Sequence, residues 1–308
     1  MRGTFRFFWP VPVAFALTVA LVSAGCSKKG SVTGPSTATG TATVYLDSTR
    51  QIIRGFGAAN IVGWRPDMTA GEIQTAFGTG PGQLGFTIMR LRISPDSTQF
   101  AVNVPSAKAA SAMGVTIIAT PWTPPAWMKS NDDLVGGTLD TGAYAAYAAH
   151  LKAFADTMSA NGVSLYAISV QNEPDANVSY ESCYWTAQHF LNFMKNNAAS
   201  VGVPIFMPES MNFNHSLSDP SLNDPDAAAN IAFIGGHIYG TSPSPYPLAI
   251  SKGKEVWMTE YLVLDTNWSA VLGTAKSIND CMNCQMSAYV WWYIVRYYGP
   301  IDENGIVT

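Results

Sequence analysis

Eight short apolar runs, beginning near residues 52, 87, 115, 165, 204, 235, 255 and 287, constrain this 308-residue chain more than any other feature. Most are separated by a segment of helical spacing, read over residues 69–77, 104–113, 144–158, 185–198, 226–234 and 267–278. In 144–158 the apolar side is explicit: Tyr147, Leu151, Phe154 and Met158 fall on one face. Strands alternating with helices call for a parallel sheet covered by helices, and eight repeats fit a (β/α)8 TIM barrel better than an open doubly wound sheet. No Gly-x-Gly-x-x-Gly fingerprint follows the first strand, which argues against dinucleotide binding. At 47% apolar and 12% charged, the chain can fill the core of one large domain.

The folded part starts near residue 43. Residues 1–25 read as an export signal: Arg2 and Arg6 give a positive start, residues 11–22 supply most of the apolar segment, and Ser23-Ala24-Gly25 are small enough for a peptidase. Cys26 follows, and Leu-Val-Ser-Ala-Gly-Cys resembles a bacterial lipoprotein processing box. Cys26 is then the expected lipidated N-terminus, anchoring an exported protein to a bacterial membrane or cell surface; an ordinary secretory peptide with an incidental Cys is the alternative. Residues 26–42, rich in Gly, Ser, Thr and Pro, read as a flexible tether to a 43–308 catalytic domain. Removing residues 1–26 with Arg2 and Arg6 takes the net charge from -4 to -6, and no basic block is present, so nucleic acid is not an expected partner. A monomer is expected.

The chemistry sits at strand ends. The apolar run 165–170 passes into Gln171-Asn172-Glu173-Pro174, where the proline stops the strand. Glu173 is therefore at a C-terminal strand tip, the end at which a barrel places its reactive groups. Thr259-Glu260-Tyr261 ends another strand 87 residues later. A single strand-end glutamate is as often a helix-start acid. Two of them, with tryptophans at other strand ends, suit glycoside cleavage: one carboxyl protonates the departing oxygen while the other attacks the anomeric carbon or activates water. A separation of about 5–5.5 Å gives retention and a wider one inversion. Arg90 and Arg92 share a face of the strand at 86–93. Three prolines with Trp122 and Trp127 make a rigid aromatic loop after the third strand, and His237 and Tyr239 end the sixth. One histidine without a nearby cysteine or acidic ligand set gives no metal site, and no cofactor is expected. Cys281 and Cys284 lack a second pair at zinc spacing; a 281–284 bridge, a pairing with Cys183 and free thiols all remain open.

On these residues the chain resembles glycoside hydrolase family 30, most closely its bacterial xylanase branch. Gly55-Phe56-Gly57, Gln171-Asn172-Glu173-Pro174 and the block from Trp291-Trp292-Tyr293 to Gly299-Pro300 carry the likeness, over roughly residues 43–308. The resemblance implies that Glu173 on strand four is the acid/base, with a raised pKa, and Glu260 on strand seven the nucleophile, with a lowered one. It implies that Asn172 contacts the hydroxyl beside the anomeric carbon and that Arg90 lies beside the nucleophile. His237 and Tyr239 would line the glycone site, and Trp122 and Trp292 would face the sugar, while strand alternation sends Trp291 to the opposite face. Arg296 and Tyr298 match residues that bind a methylglucuronic acid branch. The implied substrate is thus plant cell-wall xylan, 4-O-methylglucuronoxylan in particular, cleaved at internal β-1,4 bonds.

The match to that branch is incomplete. Leu262 and Asp265 stand where it has a tyrosine and a serine, and Val295-Arg296 where it has an arginine doublet. An acid at 265 would repel a carboxylate branch unless it turns away. Glucosidases or galactanases of the same family, or a surface carbohydrate-binding lipoprotein without turnover, are the alternatives. The family also implies a C-terminal β side domain that would take up a strand at 44–46; with Thr308 arriving just after strand eight, that domain is expected to be missing or truncated.

Overall fold

Eight parallel strands follow one another around a closed ring in chain order: β1 Gly55–Asn60, β2 Ile88–Ile93, β3 Thr116–Pro121, β4 Leu165–Ser169, β5 Ile205–Ser210, β6 Ile231–His237, β7 Glu255–Tyr261 and β8 Ala288–Tyr293. The closing contact pairs β8 with β1, Gly55 opposite Ala288 through Ala58 opposite Trp291. The (β/α)8 barrel expected from the alternation is therefore formed. This computed structural model describes residues 45–308, and residues 49–308 make one compact unit. The residues read as an export signal and a tether, Cys26 among them, lie outside the described residues.

Period-two alternation sorts each strand's side chains between the barrel interior and the helical shell. On β2, Met89, Leu91 and Ile93 join the shell, whereas Ile88 belongs to an inner layer with Ile118, Ala167, Phe206, Phe233, Trp257, Ala288 and Val290. Phe233 stacks between Phe206, 4.6 Å away, and Trp257, 4.1 Å away, plugging the barrel below its open end. Arg90, two residues beyond Ile88 on the same face, is fully buried directly above this plug. Gly57 lets β1 approach β2: a Cβ there would lie 1.9 Å from the Ile88 carbonyl oxygen.

The shell holds α1 Ala70–Phe77, α2 Val104–Ala112, α3 Tyr144–Ala160, α4 Ala187–Asn196, the one-turn helices α5 Asp219–Asn223, α6 Pro225–Ala229 and α7 Pro247–Ser251, and α8 Trp268–Asn283. Helix α1 starts in a capping box, Thr69 accepting from the Glu72 backbone while the Glu72 side chain accepts from Thr69. The apolar stripe predicted on α3 is buried as expected, and Tyr147 also donates its hydroxyl to the Val170 carbonyl, tying α3 to the end of β4.

Two readings of the sequence are corrected, and one that was left open is decided. The helix expected over 226–234 ends at Ala229, because Ile231–His237 pairs with β5 as a strand that begins four residues earlier than predicted. Its apolar residues are too few to show a period, and the parallel partner decides the state. The strand expected at 44–46 is not formed where it is described: Leu46 lies in a turn and is exposed. Of the alternatives left open for the cysteines, the structure has Cys183, Cys281 and Cys284 all as free thiols.

Candidate active site

Two β-bulges at the open end of the barrel aim side chains that strict alternation would misdirect. Along the β7–β8 pairing, Met258 faces Tyr289 and Tyr261 faces Trp291, so two residues of β7, Thr259 and Glu260, stand against the single Val290. The extra residue turns Glu260 into the barrel. On β5, Pro208 pairs with Gly235 and Ser210 with Gly236, leaving Glu209 as the unmatched residue, with φ +55°. Glu173, just past β4, also has a positive φ, +42°. Left-handed backbone at two buried non-glycine strand tips is the kind of strain that accumulates at functional sites.

These tips meet beneath a cavity of about 470 Å³ lined by Glu173 and Glu260 and walled by Trp64, Trp122, Tyr180, Tyr239, Leu262, Trp292, Tyr293, Arg296 and Tyr298. Oxygens of Glu173 and Glu260 and a ring nitrogen of His237 all lie within 4.8 Å of one another. Such an approach of the two carboxylates fits the close pair of a retaining glycosidase, whose carboxyl groups stand about 5–5.5 Å apart. Glu260 Oε2 accepts from Arg90 Nη1 at 2.6 Å and Oε1 from the Tyr239 hydroxyl at 3.0 Å. Glu173 Oε2 accepts from the Tyr180 hydroxyl at 2.8 Å, and Oε1 lies 3.1 Å from His237 Nδ1.

Arg90 organises this floor. Besides Glu260, it donates through Nη2 to Asn172 Oδ1 at 2.7 Å and through Nε to Thr120 at 3.1 Å, and its plane lies over Trp122 at 4.7 Å. With Oδ1 engaged, Asn172 keeps its NH2 group as the free donor. Burial disfavours the guanidinium, but Glu209 and Glu260 beside it more than compensate and raise its pKa.

Burial likewise disfavours charge on His237, yet the charges of Glu260, Glu173 and Glu209 raise the ring to about 9, so it is an imidazolium at neutral pH. Glu209, which burial alone would raise, is held at about 2 by Arg90 and His237. The order expected of the Glu173 and Glu260 pKa values is reversed. Burial pushes both up, but His237, Tyr180 and Arg90 bring Glu173 below its ordinary value. Glu260 ends above its own: its burial, together with the repulsion of Glu173, outweighs His237 and Arg90. An imidazolium against Glu173 is what the sequence did not announce. The pair titrates together, and the proton belongs to both. Three converging donor atoms could also suit a cation, but here Arg90 and the His237 imidazolium already fill that space with positive charge.

Of the residues expected at the site, Glu173, Glu260, Trp122, Tyr239, Trp292, Arg296 and Tyr298 line the cavity, and Arg90, Asn172 and His237 form its floor. Trp291 turns to the shell side, as alternation requires, and Trp127 is exposed outside the cavity wall. Arg296 lies over Tyr293 and Tyr298, 5.0 and 5.8 Å from their ring centres. Asp265 is turned out: it is exposed, accepts from the Asn267 backbone at 3.1 Å and side chain at 2.6 Å, and does not line the cavity with Arg296. Leu262 does line it.

Sequence reasoning missed Trp64, Tyr180 and Glu209. The Trp64 ring packs 5.3 Å from Trp122, 6.2 Å from Tyr180 and 6.3 Å from Trp292, completing an aromatic wall. Behind it Arg92, paired with Glu181, lies over Trp64 at 5.4 Å. Glu209 carried a legible signal, since Pro208-Glu209 ends the apolar run of strand five much as Glu173 ends strand four.

The family profile of the glycosyl hydrolase family 30 TIM-barrel domain matches residues 85–269. Glucuronoxylanase XynC of Bacillus subtilis (strain 168) is 44% identical over 281 residues, covering 86% of this chain and 66% of that protein. The chain thus spans a little under two thirds of the length of this relative. Among solved structures, the family 30 subfamily 8 xylanase Xyn30A of Clostridium acetobutylicum superposes with a TM-score of 0.81 at 41% identity, over 85% of this chain and 70% of that one. A GH30 endoxylanase of Clostridium papyrosolvens C71 gives 0.77 at 39% identity, with the same coverage of 85% and 70%.

Proposed function

The chain belongs to glycosyl hydrolase family 30, and from that premise we propose that it is a retaining endo-β-1,4-xylanase acting on 4-O-methylglucuronoxylan. The observation that carries the reading is the close Glu173–Glu260 pair on the floor of an aromatic cavity. The xylanase names of its similar relatives support the substrate class.

In the reactive microstate the shared proton is on Glu173, and Glu260 is ionised between Arg90 and Tyr239. Glu260 attacks the anomeric carbon while Glu173 gives its proton to the departing glycosidic oxygen; the C–O bond breaks and a glycosyl ester forms on Glu260. Glu173, now a carboxylate beside His237 and Tyr180, then takes a proton from water, whose oxygen displaces Glu260 with net retention. The Asn172 NH2 group donates to the hydroxyl beside the reacting carbon. Trp64, Trp122 and Trp292 offer flat apolar faces to neighbouring xylose rings.

Arg296 reads the branch. A guanidinium at the cavity rim, without a carboxylate partner among the described residues, suits a uronic acid, with Tyr298 beside it. The outward turn of Asp265 removes the repulsion its position threatened. Residues 1–26 support export with lipid anchoring at Cys26.

The test compares products from 4-O-methylglucuronoxylan, unbranched xylan and arabinoxylan, with Glu260→Gln as the blank. Regularly spaced aldouronic products from the first substrate alone, and loss of that preference in Arg296→Ala, are expected. Equal cleavage of unbranched xylan removes the branch claim, and no cleavage of any of the three removes the xylanase claim.

A further inference from the structure

Glu209 is the third carboxylate at the open end of the barrel, and the reaction above does not use it. It is fully buried and absent from the cavity wall, so it cannot touch a sugar. Neither of its oxygens has a well-formed hydrogen bond, yet one lies 3.1 Å from Arg90 Nη2 and 3.6 Å from His237 Nε2. A carboxylate in this position is costly twice over, once in desolvation and once in its left-handed backbone, and an apolar residue of similar volume would fill the space more cheaply.

We propose that Glu209 is a positioning residue for the two-glutamate reaction: from behind the reacting pair it holds the Arg90 guanidinium and the His237 ring with their opposite edges turned to Glu260 and Glu173. The inference rests on the reading of those two glutamates as the reacting pair. The His237 ring lies between two carboxylates. Nδ1 lies 3.1 Å from Glu173 Oε1, whereas Nε2 has no hydrogen-bond partner among the described residues and lies 3.6 Å from Glu209 Oε1, so Glu209 acts on the ring through its charge across that gap. The charged and titratable groups around the ring are Arg90 from β2, Glu173 from β4, Glu209 from β5, Tyr239 from its own side and Glu260 from β7. Glu209 is the one anion among them that chemistry never neutralises. When Glu173 releases its proton to the leaving oxygen, the imidazolium held by Glu209 is the charge that receives the new carboxylate. Its contribution therefore falls on the chemical step rather than on sugar binding.

The test reads the ring directly, on the full chain labelled with 15N-histidine, with His237→Asn identifying the signal. At about pH 7.5 both ring nitrogens of His237 are expected to be protonated, and in Glu209→Gln the ring is expected to titrate at least about one unit lower. On whichever polymer the wild type cleaves, kcat of Glu209→Gln should fall about 10²-fold with KM changed less than about threefold. A neutral ring in the wild type at that pH overturns the proposal without any variant, so poor folding of Glu209→Gln leaves it testable. A folded Glu209→Gln with an unchanged ring titration overturns it as well, whatever its activity, since a merely structural role would leave the ring alone. The ring is observed without sugar, so an error in the substrate reading would show as an inactive wild type with the expected spectrum.

Discussion

Replacing Tyr180 by Phe isolates one contact on Glu173, the proposed acid/base, and has a definite sign. The Tyr180 hydroxyl donates to Glu173 Oε2 at 2.8 Å. A donor stabilises the ionised carboxylate more than the neutral acid, so its loss must raise the pKa of Glu173. A hydrogen bond to a charged group contributes about 1.5–3 kcal/mol, which corresponds to about one to two pKa units. Tyr180 is 43% exposed, so water can take the place of its hydroxyl; we therefore discount the shift to about 0.5–1 unit. The form that reacts carries its proton on Glu173, the member of the pair with the lower pKa, so the acidic limb of the kcat/KM profile should move to higher pH by about that amount while the basic limb, set mainly by Glu260 between Arg90 and Tyr239, stays nearly in place. Profiles of both enzymes on one soluble xylan measure it. Loss of the ring's packing against Trp64 is not expected, because Phe keeps the ring. An acidic limb that stays put, or moves to lower pH, would refute the assignment of Glu173 as the group Tyr180 tunes.

Three further outcomes follow from the same geometry. Glu173→Ala should lose about 10²–10⁴-fold in activity on polymer, and added azide should restore turnover by yielding a β-linked glycosyl azide detectable by NMR, whereas an α-linked product would contradict Glu173 as the acid/base. The folded protein should lose stability as pH rises: His237 is raised from 6.5 to about 9, so its contribution is complete below 6.5 and lost as pH passes 9, and the melting temperature of His237→Gln should decline less over that interval. Phe233→Ala, which opens the stacked plug between Phe206 and Trp257, should cost about 3–5 kcal/mol in a chemical denaturation series; a cost below about 1 kcal/mol would mean the barrel floor refills from its neighbours.

The barrel was legible because its signal is redundant. Each strand is a continuous apolar run, as strands buried on both faces must be, and each long helix carries its own stripe. Where an element was too short to express a period, as with α6 and the start of β6 around Asn230, the pairing of Ile205 with Ile231 decided the boundary and no local pattern could have. Glu173 and Glu260 were legible for another reason: an acid at the end of a buried apolar run is conspicuous. Trp64 and Tyr180 were not, because they sit in loops after strands, where no periodicity says which way a ring turns. The protonation of the pair was also out of reach, since it depends on His237 being pressed between Glu173 and Glu209, three residues brought together only by ring closure.

The bulges show why position along a strand predicted the site better than alternation did. Strict period two places Met258 in the shell, Thr259 inside and Glu260 back in the shell, which would bury the Glu260 carboxylate against helices. The extra residue opposite Val290 adds one step, so Thr259 and Glu260 both face in and Tyr261 resumes the shell face beside Trp291. The same device on β5 frees Glu209 from its ladder and delivers it to Arg90 and His237. Both irregularities lie at the C-terminal ends, above the plug of Phe206, Phe233 and Trp257, where the regular barrel no longer needs its ladder to close the core. The lower strands supply rigidity and the upper bulges supply aim, and it is this division that lets three carboxylates converge on one guanidinium and one imidazolium without disturbing the fold beneath them.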